Sequence, residues 1–142
     1  MAKTIATIMG VVFILAGIVG FVDNDLLGFH LTTFHNAGVH IVSGAISLYF
    51  GLAGTQAGAR LFDLIFGVVY AGLGVVGFLA GGHQGHLSPG VPGPDDARLL
   101  KVIPSQLELG TSDHILHIVL GLIFIVGALL TKRSFDRRAD ET

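Results

Sequence analysis

Two short polar motifs carry the residues best suited to chemistry in this chain. They are Asn36-x-x-x-His40-Ile41-Val42-x-Gly44 and Asp113-x-x-x-His117-Ile118-Val119-x-Gly121, with His114 beside the second. In each motif a carbonyl-bearing side chain stands four residues before a histidine, which places the pair on one face of an α-helix. Imidazoles with such neighbours suit four kinds of chemistry. A histidine donating to Asn36 or Asp113 of a partner helix would satisfy buried polar groups and fasten the helices together. His40, Asp113, His114 and His117 could bind zinc or copper through imidazole and carboxylate. Two histidines at matched depth on facing helices suit the axial ligation of haem b. Paired His and Asp groups can also relay protons, because imidazole titrates near neutral pH. A relay across a membrane needs further polar groups, and the sequence supplies mainly Ser43, Ser47 and Tyr70, then Arg60 and Asp63. Arg60 and Asp63 are three apart on one helix and are expected to pair with each other.

Enzymatic chemistry finds little to work with. The chain has no cysteine, no Gly-x-Ser-x-Gly elbow and no His-Glu-x-x-His zinc signature. Ser43 and Ser47 share the face of His40, but helical serines commonly bond back to their own backbone. The remaining candidate, His83-x-x-His86, is flanked by Gly81, Gly82 and Gly85. It reads as a solvated loop, with a second, exposed metal site as the alternative.

The elements that position these residues follow from composition. The chain has 142 residues, of which 51% are hydrophobic and 13% charged, and its mean hydropathy is +0.75. Soluble domains carry about 25% charged residues. The apolar content excludes disorder, and the lack of cysteine excludes a disulfide scaffold. A net charge of −2 leaves no basic footprint for nucleic acid. A bilayer core about 30 Å thick is crossed by roughly 20 apolar residues in a helix. Four segments fit, at about 5–22, 34–53, 61–80 and 112–131. The first lacks a small-residue cleavage site before a polar region, so it reads as a span rather than a signal peptide. The apolar runs do not alternate, which excludes a transmembrane barrel. The expected fold is all-α: an integral membrane four-transmembrane-helix bundle forming a single membrane domain.

The connections differ in kind. Residues 54–59 form a tight Gly/Ala link, whereas 81–111 is a long loop containing Pro89-Gly90-Val91-Pro92-Gly93-Pro94. That run suits neither helix nor sheet. After it, Asp95–Val102 has the pattern of a short helix with Leu99, Leu100 and Val102 on its apolar side. Lys3, Arg60, Lys132, Arg133, Arg137 and Arg138 flank one end of the spans, and only Arg98 and Lys101 flank the other. Positive charge favours the cytoplasmic side, so both termini and the tail 132–142 are expected there. His30, His35, His40, His83, His86, His114 and His117 then all fall toward the outer side.

The two halves align with each other. Met9-Gly10-Val11-Val12-Phe13 matches Phe66-Gly67-Val68-Val69-Tyr70, and Gly17-Ile18-Val19-Gly20-Phe21 matches Gly74-Val75-Val76-Gly77-Phe78. The two His motifs align as well. A two-span unit returns the chain to its starting side, so the copies are expected to be tandem parallel repeats about an axis near the membrane normal. The histidines would lie about 8–10 Å inside their helix starts at 1.5 Å per residue. The glycines of the first and third spans are expected to let helix backbones approach closely.

This pattern resembles an uncharacterised family of small bacterial integral membrane proteins with four helices, a domain of unknown function. Its members are similar in having Asn/Asp-x-x-x-His-x-x-x-Gly, present here as Asn36/His40/Gly44 and Asp113/His117/Gly121. The likeness covers most of residues 5–131. It implies the four-helix fold and a place in the bacterial inner membrane, and it brings no activity with it. The expected role is that of a structural or accessory membrane protein, packing with itself or with partner membrane subunits in the lipid bilayer. The alternative is a metal- or haem-binding protein using the outer His/Asp cluster.

Overall fold

The structure, a computed structural model, describes residues 1–22, 25–26, 29–30, 34–82, 98–104 and 106–131. Helix α1 runs Ala2–Val22, and a two-residue hairpin follows, β1 (Asp25–Leu26) antiparallel to β2 (Phe29–His30). A π-helical segment, His35–Ile41, continues into α2 (Val42–Leu52). Then come α3 (Gln56–Ala80), strands β3 (Leu100–Ile103) and β4 (Leu107–Leu109), and α4 (Thr111–Leu129). The chain is all-α apart from these small hairpins. Helices α1, α3 and α4 are each long and apolar enough to cross a membrane, and a shorter apolar helix spans Gly38–Leu52.

Two boundaries reflect local capping. Helix α3 begins five residues before the expected 61, because Thr55 takes extended backbone and its side chain accepts from Gly58 N at 3.0 Å. A threonine there satisfies one of the donors that every helix start leaves open. At the start of α4, Asp113 Oδ2 accepts from Gly110 N at 2.8 Å. A carboxylate in the first turn also complements the helix dipole.

Two other segments differ from expectation. His35–Ile41 is π-helical rather than α-helical. The short helix expected over Asp95–Val102 gives way to strand from Leu100, with Leu99 bridged to Gly82 and β3 paired to β4. Its beginning, Asp95–Ala97, lies outside the described residues, as do the proline run, His83 and His86, and the tail 132–142. Leu99 and Leu109 are the buried apolar residues of this cap. Of the apolar side expected for that helix, the hairpin buries Leu99, leaves Leu100 half-buried and exposes Val102.

Helix α1 packs chiefly on α2, and α3 chiefly on α4. Glycine makes both contacts close. A Cβ on Gly10 would lie 2.8 Å from Leu48 N and 3.0 Å from Gly44 O. A Cβ on Gly67 would lie 2.8 Å from Gly121 O and 2.9 Å from Ile125 N. Only hydrogen fits there, and the reward is dispersion contact along two backbones. Both pairs run antiparallel, since Gly51 meets Thr7 while Gly44 meets Ile14, and Gly74 meets Ile118 while Gly67 meets Ile125. The pairs join through an aromatic core of Phe13, Phe62, Tyr70 and Phe124, with Ala6 and Met9 beside it.

Candidate functional site

Rings from α1, the π-helical segment, α3 and α4 form one continuous array. His35 and His40 stack with centroids 4.7 Å apart and planes at 19°. In a regular α-helix, residues five apart point in different directions. The wider i→i+5 winding brings His35 over His40. Phe13 of α1 stacks on His40 at 6.3 Å and meets Tyr70 of α3 at 5.7 Å. Tyr70 stacks on His117 of α4 at 5.1 Å. The order across the bundle is therefore His35, His40, Phe13, Tyr70, His117. Ser43 hydrogen-bonds the Tyr70 side chain, and His117 is within electrostatic range of His35 and His40.

The hydrogen bonds fix how the imidazoles are presented. His117 Nδ1 lies 2.5 Å from the carbonyl of Asp113, one turn earlier in its own helix. A carbonyl only accepts, so Nδ1 carries the proton that is donated, and in the neutral ring Nε2 is left with the lone pair. His40 Nδ1 is buried and has no hydrogen-bond partner. His117 thus keeps a lone-pair Nε2, and His40 brings an unpartnered Nδ1 to the same aromatic array.

The other residues singled out in the sequence have different placements. Asp113 is buried, and its carboxylate holds Gly110 N as a cap. Its backbone carbonyl, rather than its side chain, meets His117. His114 is fully buried and donates from Nε2 to Arg98 O at 2.6 Å. Its ring lies against Gly77, where a Cβ would fall onto the ring, and edge-on to Phe78 at 5.4 Å. This histidine fastens the Arg98 segment to the α3–α4 pair. The side chain of Asn36 lies outside the described residues. Among the described residues, no three His, Asp or Glu groups are arranged to hold a metal ion.

The expected Arg60–Asp63 pair is not formed. Arg60 Nε donates to Ala128 O at 2.9 Å, and both oxygens of the fully buried Asp63 are without a hydrogen-bond partner. Arg60 lies close to the end of α4, whose last carbonyls lack intrahelical donors. Ser47, expected to bond back to its own helix, donates instead to Ala6 O of α1 at 2.7 Å. Sequence reasoning passed over His35 and Phe13 as site residues. His35 is out of α-helical register with His40, and Phe13 looks like any other apolar residue until its neighbours are known.

Comparison with known proteins adds no relative: no family model, no curated protein and no solved structure matches the chain.

Proposed function

We propose that this chain is a small integral membrane protein of structural or accessory type, packing with itself or with partner membrane subunits. The observation that carries this reading is an inverted distribution of polarity. Large apolar side chains such as Ile8, Leu15, Ile46, Ile65, Val68, Leu122 and Leu129 are exposed around the helices, whereas Ser47, Asp63, His114, His117 and Thr131 are buried inside. A monomer in water rarely exposes so much contiguous apolar surface. In lipid the same surface is solvated, and internal polar groups fasten the helices.

The finer proposal is a pair of tandem parallel hairpins, in keeping with the uncharacterised bacterial four-helix family that the sequence resembles. Aligned residues make like contacts in the two halves, which supports this reading. Gly10 meets Gly44 as Gly67 meets Gly121. Phe13 stacks on His40 as Tyr70 stacks on His117. The aligned Lys3 and Arg60 each reach a carbonyl near the end of the following helix, Leu52 O and Ala128 O, which differ by one residue in the alignment. The proposed location is the bacterial inner membrane with both termini cytoplasmic. It is supported by Lys3 and Arg60 standing at one end of the bundle and Arg98 and Lys101 at the other.

A second reading, binding of zinc, copper or haem b at the outer cluster, is favoured by the unpartnered His40 Nδ1. One experiment separates the two. His40→Leu/His117→Leu is purified in detergent beside the parent chain, and metal content, Soret absorbance and unfolding midpoint are measured. The structural reading expects no metal or Soret band in either protein and a changed midpoint in the variant. Stoichiometric metal or haem in the parent, lost in a variant that stays folded, would establish the second reading.

A further inference from the structure

Asp63 is an ionisable group for which neither reading has a use. Its side chain is 0% exposed, and neither carboxyl oxygen has a hydrogen-bond partner. One turn further along this face of α3, Gly67 touches α4 at Gly121 and Ile125, so Asp63 faces the C-terminal end of the antiparallel α4. The end of α4 is the negative pole of its dipole and disfavours a second negative charge, while the start of α1 beside it is a positive pole.

Several polar groups at this end bond to partners other than Asp63. On α1, Lys3 Nζ donates to Leu52 O at 3.4 Å, and on α3 Arg60 Nε donates to Ala128 O at 2.9 Å. After α4, Thr131 Oγ accepts from Ala2 N and donates to Gly127 O, both at 2.7 Å. On α2, Ser47 Oγ donates to Ala6 O at 2.7 Å. The amino terminus acts on Asp63 electrostatically. Three residues before the aligned Met9 and Phe66 stand Ala6 and Asp63, so a small apolar residue fills the matching place in the other half.

A carboxylate in a closed interior that no hydrogen-bond donor reaches is less stable than the neutral acid, and the amino terminus, which favours the charged form, opposes this only through space. We propose that Asp63 is a proton-binding site, its carboxyl held as the neutral acid in the folded bundle and exchanging its proton with the medium through the Lys3/Arg60 end. The ligand is a proton rather than a metal ion, because no three-residue metal group is present among the described residues. This inference is independent of the role given to the outer histidines.

The test is infrared spectroscopy of the full chain in detergent at pH 7, taken as the difference between parent and Asp63→Asn. The expected result is one protonated-carboxyl C=O band that is missing in the variant. It should shift in D2O and be unchanged when choline chloride is replaced by NaCl. Asp63→Glu should restore a band at a displaced frequency. Asn imitates the neutral acid in shape and charge, so the unfolding midpoint of Asp63→Asn should match or exceed that of the parent. Absence of the band would overturn the proposal, as would a band that does not shift in D2O. Loss of the band in NaCl would assign the site to Na⁺ instead. An Asp63→Asn chain that fails to fold would show that the carboxyl is charged and held by a partner.

Discussion

Ser47 and Gly77 show how much single positions depend on what faces them. Ser47 donates to a carbonyl of the neighbouring helix. Ser47→Ala should lower stability by about 1 kcal/mol, as helix-fastening bonds in membranes do. Denaturant titration in mixed micelles measures it, and an unchanged midpoint would show that the bond contributes nothing. Gly77 is covered by the ring of His114, which Arg98 O holds in place, whereas a Cβ on Gly72 would meet nothing within 4 Å. Gly77→Ala should therefore destabilise by about 1–3 kcal/mol through overpacking. Gly72→Ala should be neutral or stabilise by up to about 1 kcal/mol through helix propensity. The same titration compares them, and equal effects would contradict the close packing of His114. Both glycines are simply glycines in the sequence. Likewise, the spacing of Arg60 and Asp63 permitted a pair, but α4 supplies a carbonyl that competes for Arg60.

At the scale of elements, helix ends and helix crossings carry the specificity. Thr55 caps α3 through Gly58 N, so Thr55→Ala should cost about 1 kcal/mol. Hydrogen exchange should then rise over residues 56–60 before it rises elsewhere. Uniform exchange along α3 would mean that the cap is not limiting. At the α3–α4 crossing a Cβ on Gly67 would already lie 2.7 Å from Ile125 Cγ1. Gly67→Leu should force the pair apart, with a loss of more than about 3 kcal/mol, at the upper end of overpacking effects. Loss of cooperative unfolding would report it, and a native-like midpoint would place the crossing elsewhere. Helices α1, α3 and α4 were legible because each is a long apolar run. The π winding was not, since no periodicity in His35–Ile41 distinguishes it from α-helix. The register it sets, His35 over His40, shows only once the rings are in place.

For the whole molecule, the proposed membrane setting makes two predictions. The chain should stay in the pellet after alkaline washing of membranes and enter solution only with detergent. A tag after Thr142 should be reached by antibody only in permeabilised cells, and labelling of intact cells would reverse the proposed orientation. Composition and run length by themselves determined that the chain is all-α with long apolar helices. With 51% hydrophobic residues in four runs, long apolar helices are the arrangement that satisfies every backbone donor and acceptor within the segment. The sequence also marked where polar groups break those runs, because a charge or an imidazole in an apolar helix is visible without coordinates. It could not say which of those groups would find one another. That depended on how the hairpins cross, how the π segment turns its side chains and which carbonyls the helix ends leave open. These are relations between residues far apart in the chain. Short-range spacing fixes the face a side chain occupies on its own helix, but its partner is chosen by the packing of the others.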